Sequence, residues 1–387
     1  MEIAPARVAD RFAWRRIRPI LVDVGIVFLL SRLLFYGAVL LAPLLIHAYA
    51  GDGYEPWYTG APTLIDASWR WDSAWYEDIM RHGYDAGHSV AFFPLYPLLV
   101  RGLLLVAPER WLYDLGVLVN HLLFAAALVL VWLYAESLGG PAIARRAIIW
   151  LGLFPTSFFF SAAYSESLFL LLGAGTLLFL QRGRYGAAGL MGSLATLTRP
   201  TGIILAVPCL VDLIGRRDIG WRRLLPFLLI PMGIASYMAY LAWRFGDPMR
   251  FVHVEGGGWD HAWMLPPLAL LRSIQLSVSG ELHGVTALMN GVNTLAAIGA
   301  IAAAVLLWRW DQRGAAFVMA GVLLPLTMGV AGMPTLSLAR YVVVLFPLFI
   351  LLGRWTERWW QQAVVVMLFV PAQILLAMLF VQWYWVI

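Results

Sequence analysis

The stretch RWDSAWYEDIMRHGYD, residues 70–85, sets Arg70, Asp72, Glu77, Asp78, Arg81, His82 and Asp85 among aromatic side chains, shortly before the run AFFPLYPLL. The chain around it is oily: 61% hydrophobic, 13% charged, with a mean hydropathy of +0.78. Soluble domains run at roughly 45–50% apolar and about 25% charged, so the composition is that of an integral membrane protein. Ionisable groups packed this densely just after a first apolar run belong at a membrane face, and their meaning depends on which face it is.

All 27 basic residues are arginine, which reads as composition bias rather than chemistry. The sequence pI near 9.4 is better explained by arginines at the ends of membrane spans than by nucleic-acid binding. The single Cys209 lies in an apolar run and excludes both a disulfide framework and a cysteine metal site. The first apolar run is too long for a cleavable signal peptide.

A crossing needs about 20 apolar residues. Candidate spans fall near 20–46, 112–135, 147–163, 167–181, 186–199, 201–214, 224–243, 284–307, 315–333, 341–353 and 361–386, several of them short enough to be tilted or broken. This gives about 11 transmembrane helices in a single membrane-embedded domain over residues 1–387. Such a count places every arginine cluster on the cytoplasmic side: Arg7 to Arg18, Arg145 and Arg146, Arg182 and Arg184, Arg216 to Arg223, Arg309 and Arg313, Arg354 and Arg358. The N-terminus is then cytoplasmic. The opposite face receives a first external loop, 47–110, a second, 244–283, and the turns YSES (164–167), TRPTG (198–202) and MPTLSLARY (333–341). Segment 47–110 holds eight acids against four arginines, so the polar residues that most need explaining face one compartment.

Ionisable groups at a membrane boundary invite a functional reading. Asp72, between Trp71 and Trp75, suits a general base that takes a proton from an attacking hydroxyl; capping of a helix through 73–82 is the plainer alternative. Glu77 and Asp78 read as a solvated helix face. Arg199, followed by the helix breakers Pro200 and Gly202, suits a phosphate at the interface, against the plainer reading of a snorkelling arginine. Arg340 in SLARY is the second externally placed cation suited to that phosphate. Glu166 in YSES, beside Tyr164, either partners an arginine, bonds a substrate or belongs to a helix cap. His82, His253 and Glu255 lack metal-ligand spacing, and Gly256 to Gly258 read as a flexible loop rather than a phosphate cradle. Trp71, Trp75, Tyr76 and Tyr84 offer faces for sugar rings. A carboxylate base, phosphate-sized cation sites and aromatic walls at one face point to sugar transfer from a polyprenyl-phosphate carrier to a hydroxyl. A transporter or flippase with charges along its path, or a non-catalytic scaffold subunit, are the rival readings.

The segments RWDSAWYEDIMRHGY with AFFPLYPLL, SAAYSESLF (161–169), LATLTRPTG (194–202) and SLARYVVVLFPLF (337–349) together resemble the GPI mannosyltransferase 2 (PIG-V) family and its bacterial relatives. The resemblance implies an all-α polytopic membrane protein of the GT-C glycosyltransferase fold, whose large first external loop contains short helices. It implies a polyprenyl- or dolichyl-phosphate sugar donor, most often mannose, inversion at the anomeric carbon, no metal or other cofactor, and a lipid or glycan acceptor. It maps the catalytic aspartate onto Asp72 and the donor phosphate onto Arg199 and Arg340. Arg70, Trp71, Trp75, Tyr76, His82, Tyr164, Glu166 and Tyr341 become substrate-binding candidates. The expected setting is a bacterial inner membrane with the site on its extracytoplasmic face. The stretch HVEGGGWDHAWMLPP, 253–267, departs from the pattern where an acceptor would be read.

Overall fold

The computed structural model describes residues 6–49, 56–215, 220–258, 261–330 and 332–386. Arg216 and Arg217, counted above among the cytoplasmic cations, lie outside the described residues. The fold is all-α, with one short antiparallel ladder pairing His261–Trp263 with Met328–Val330. Five described helices are long and apolar enough to cross a membrane: Ile17–Leu45, Glu109–Gly139, Leu225–Phe245, Gly284–Leu307 and Trp359–Val381. The remaining expected crossings are shorter or broken helices, and the breaks follow the prolines.

The expected span 147–163 ends early, because the helix Pro141–Leu153 stops before Pro155 and gives way to a 3-10 turn at Ser157–Phe160. The expected span 341–353 is two pieces, Leu338–Val342 and Pro347–Trp355. The expected span 315–333 is the helix Gln312–Leu326, and its last residues form a strand instead. The last helix stops at Val381 rather than 386; the tail then turns at Trp383 (φ 66°), where Tyr49 N–H donates to the Gln382 carbonyl (2.8 Å). The three glycines 256–258 are not a loop but the final turn of the helix Arg250–Gly258.

Helix Glu166–Gln181 runs through the centre. It is apolar all round, buried along nearly its whole length, and thereby shielded from lipid. Close approach of its neighbours relies on glycine: at Gly233 a methyl group would collide with the Ser193 carbonyl and the Thr196 hydroxyl. The irregular backbone from Phe154 to Ser165 lies inside the bundle and needs internal partners. Arg32 Nη1 donates to the Phe160 carbonyl (2.8 Å), Asn120 Nδ2 donates to Ala162, Ala163 N–H donates to Ser68 (2.8 Å), and Thr156 Oγ1 donates to Ala339 (2.9 Å). Pinned on several sides, this segment sets the position of Tyr164, Ser165 and Glu166, and so of the site.

Candidate active site

Asp72 owes its position to a kink in the backbone before it. Trp71 sits at φ 53°, a left-handed conformation costly for a bulky residue. The buried Tyr164 hydroxyl spans the kink: it donates to the Arg70 carbonyl (2.9 Å) and accepts from Asp72 N–H (3.1 Å). Arg70 anchors the near side. Its guanidinium donates to the carbonyls of Asp66, Trp69 and Val381, pairs with the Asp66 carboxylate (2.9 Å) and lies over the Trp383 ring (4.8 Å). Helix Ser73–His82 then begins, but the Asp72 side chain does not cap it. The carboxylate instead takes a charge-assisted bond from Arg340 Nη1 at 2.5 Å. Its side chain is an ion-pair partner rather than a helix cap.

Glu166 opens the central helix, where the helix dipole favours an anion. It is fully buried, and its Oε1 accepts from Arg199 Nη1 (2.5 Å) and from Arg340 Nε. One carboxylate therefore orients both guanidiniums, and Arg340 bridges it to Asp72. Burial opposes charge on Arg340, but Glu166 and Asp72 outweigh it and hold that group well above its ordinary value. Rings support the cations: Arg340 lies over Tyr164 (4.5 Å) and Arg199 over Tyr341 (4.9 Å). Arg199 stands where helix Tyr185–Thr198 gives way to an extended residue (φ −155°) and the 3-10 turn Pro200–Leu205. Gly202 lets that turn fold back, since a Cβ there would meet the Ala195 and Thr196 backbone at 2.5 Å.

The quartet Asp72, Glu166, Arg199 and Arg340 draws together segments up to 268 residues apart. Asp72, Arg199 and Arg340 line a cavity of about 150 Å³ with Tyr76, Phe92, Thr198, Thr201, Glu255, Ser337, Tyr341 and Trp385. Of the remaining sequence candidates, Tyr76 and Tyr341 are on the wall, and Tyr76 donates to Ser165 Oγ (3.0 Å). Tyr164 and Glu166 stand behind it as supports. Arg70 is committed to the clasp. Trp71 packs edge-on to Trp383 and Trp385, and Trp75 stacks on Phe92. His82 is a correction: exposed and paired with Asp78 (2.8 Å), it faces a separate surface pocket, because the helix turns its last residues away from Asp72. Glu77 binds Arg81 (2.9 Å) and the Tyr113 hydroxyl (2.6 Å), away from the cavity. Among the described residues, no three His, Cys, Asp or Glu gather as a metal site.

Two wall residues escaped the sequence reading as site residues. Trp385 falls inside the expected last span, and Glu255 enters the sequence reading as a poor metal ligand and as part of 253–267, where an acceptor would be read. The WYW run after a helix-ending Gln382 was the signal for the first; for the second the signal was the unusual stretch 253–267, and only the fold brings its residue 255 to the cavity.

The fold is that of the GT-C membrane glycosyltransferases, and the chain is an integral membrane protein. Its structure superposes on the crystal structure of ArnT from Cupriavidus metallidurans bound to undecaprenyl phosphate with a TM-score of 0.54, at 15% identity, over 92% of this chain and 63% of that one. Residues 28–216 match the model of the mannosyltransferase (PIG-V) family. The chain is 37% identical over 150 residues to the GPI alpha-1,6-mannosyltransferase 2 of Cricetulus griseus, and 35% identical over 150 residues to that of Homo sapiens. These alignments cover 36% of this chain and 30% of either relative, so the chain matches less than a third of the curated proteins' length.

Proposed function

We propose that the protein is a membrane glycosyltransferase that moves a sugar, mannose first among candidates, from a polyprenyl-phosphate donor to a hydroxyl of a lipid or glycan acceptor. The whole chain acts as one membrane-embedded domain, with a cytoplasmic N-terminus and an extracytoplasmic active site in a bacterial inner membrane. The observation that carries this reading is Arg340 shared between Asp72 and Glu166, with Arg199 beside it, on the wall of one cavity.

Arg199 and Arg340 hold the donor phosphate and stabilise the charge that grows on it as the glycosidic bond breaks. Glu166 keeps both guanidiniums aimed. Asp72 takes the proton of the acceptor hydroxyl, which attacks the anomeric carbon opposite the phosphate and inverts it; no metal is needed. The lipid chain has a place to lie. On the other side of the short helix Leu338–Val342, Ala339 and Val342 face an apolar groove of about 490 Å³, lined also by Val292, Gly299, Leu348 and Leu376. A headgroup at Arg340 with its tail in that groove matches the polarity of both.

The test is transfer from radiolabelled polyprenyl-phosphate mannose by purified protein in nanodiscs, with native lipid extract as acceptor. Wild type should form a labelled product and Asp72→Asn should turn over about 10²–10⁴ more slowly. Near-normal turnover by that variant would remove Asp72 from its role. No sugar release from this donor or from its glucose and arabinose counterparts would favour transport.

A further inference from the structure

The helix Gly284–Leu307 is apolar and long enough to cross the membrane, yet it buries Asn290, Asn293 and Thr294. Polar groups inside a span are costly and call for a use. None of the three lines the cavity around Arg340 or the apolar groove behind it. Their bonds run instead to the chain that leads into Arg340. Asn290 Nδ2 donates to the Ser273 carbonyl (3.0 Å), Thr294 Oγ1 lies 2.6 Å from Ser273 Oγ, and that hydroxyl reaches Thr335 Oγ1 at 2.7 Å. Asn293 Oδ1 accepts the Ala339 N–H (2.9 Å). An N–H needs an acceptor, so this bond fixes which way the amide is turned. Its Nδ2 then finds no partner among the described residues. A buried amide that leaves its donors idle is kept for the bond it does make.

The residue so held is the one before Arg340. Asn293 takes the Ala339 N–H, and Thr156 Oγ1 donates to the Ala339 carbonyl (2.9 Å), which belongs to the peptide bond with Arg340. The helix Leu338–Val342 has only five residues and is entered through Ser337 at φ 62°, a left-handed conformation costly for a residue with a Cβ. So short a helix does not hold its own place and relies on such outside bonds. Thr156 belongs to the irregular segment that leads to Glu166. Arg340 and its buried counter-ion therefore share one frame: their side chains pair, and their backbones are joined through Thr156.

Resting on the reading of Arg340 as a donor-phosphate ligand, we propose that Asn293 and Thr156 are positioning residues for donor binding. They clamp Ala339 from two sides and thereby deliver the Arg340 guanidinium to the point between Glu166 and Asp72 where the phosphate arrives. Neither touches the phosphate; both act through Arg340.

The test titrates short-chain polyprenyl phosphate into full-length protein in nanodiscs. Asn293→Leu and Thr156→Val should each weaken binding about tenfold, the scale of one buried hydrogen bond. Thr156 also faces the apolar groove, where valine keeps the shape and adds apolar surface, so a loss there comes from the missing hydroxyl. Thr156→Ser keeps the hydroxyl and should stay within about twofold of wild type. Thr356→Val removes a buried hydroxyl that accepts from Trp150 Nε1 (2.8 Å) elsewhere in the bundle; it controls for general damage and should also stay within about twofold. In an Arg340→Lys background the two clamp substitutions should cost less than about threefold, because a flexible ammonium depends little on backbone placement. Unchanged affinity in both single variants overturns the clamp. So does an equal tenfold loss in the Arg340→Lys background, which would make these residues supports of the fold at large. Failure of the donor reading is separate: Arg340→Gln would then bind polyprenyl phosphate as wild type does.

Discussion

Replacing Glu166 by Gln tests the charge arrangement directly. The native quartet holds two carboxylates and two guanidiniums, all largely shielded: side-chain exposure is 0% for Glu166, 11% for Arg199 and 7% for Arg340. Glu166→Gln keeps the shape but leaves two cations facing one anion. Charge centres about 4 Å apart interact by about 4 kcal/mol at an effective dielectric constant near 20. Removing one partner from a buried pair typically costs roughly 3–5 kcal/mol. Arg199→Gln should cost a similar amount with the opposite sign of residual charge. The double variant leaves Asp72 paired with Arg340 and restores neutrality, so its loss should fall short of the summed single losses by about 1–3 kcal/mol. The assay is reversible unfolding in mixed micelles of rising SDS fraction, followed by tryptophan fluorescence, with all four proteins in one series. Single losses below about 1 kcal/mol, or strict additivity, would refute a charge-coupled quartet.

Other consequences follow from the supports around it. Tyr164→Phe removes both backbone bonds across the Trp71 kink and should cost about 2 kcal/mol; turnover should fall while polyprenyl phosphate affinity holds, which separates Asp72 placement from donor binding. Arg70→Lys cannot reproduce a planar fork that serves three carbonyls and Asp66 at once; an SDS-unfolding series should show a loss of about 2 kcal/mol or more. Burial, aided by nearby Asp72 for Tyr164 and by Glu166 for Tyr76, holds these phenols and Tyr84 above the ordinary value of 10. The unfolded chain loses those protons near pH 10 while the folded one keeps them. Their contribution is therefore complete below pH 10 and shrinks as pH rises beyond it. Ultraviolet titration of phenolate should show these groups ionising only as the protein unfolds, and early ionisation of them all would contradict the burial.

The membrane class, the chemistry-bearing motifs and the grouping of Asp72, Glu166, Arg199 and Arg340 were legible because their segments left local marks. Arg199 is followed by Pro200, Arg340 is a lone cation on its turn, and Asp72 is flanked by tryptophans. Helix limits were less legible where proline breaks lie inside apolar runs: hydropathy reads 147–163 and 361–386 as continuous, while Pro155 and the turn at Trp383 interrupt the backbone. Pairing was legible only as one of three options, that Glu166 partners an arginine. That Glu166 orients two arginines, and that Tyr164 supports the backbone rather than facing substrate, depends on contacts between segments 33 to 174 residues apart. His82 illustrates the reverse case: motif membership brought it into the candidate list, and the helical turn carried it away from the cavity.

The arrangement also explains why the cations are stable without substrate and still suited to it. Glu166, at a helix N-terminus and with no exposure, is a permanent counter-ion. Asp72, with 21% of its side chain exposed, is the looser partner of Arg340. On the proposed reading, a donor phosphate arriving at Arg340 competes with Asp72 and not with Glu166, because displacing the buried carboxylate would leave it uncompensated. Donor binding then weakens the hold of Arg340 on Asp72 and releases a carboxylate beside the acceptor hydroxyl. The base becomes available when the leaving group is in place, and a hydroxyl that reaches the cavity first meets an aspartate still occupied. Removing the acceptor should therefore leave phosphate affinity in the Asp72→Asn variant equal to or higher than in wild type, since the competing charge is gone. Isothermal titration with short-chain polyprenyl phosphate measures this, and a tenfold weaker affinity in that variant would show Asp72 assisting the phosphate instead of yielding to it.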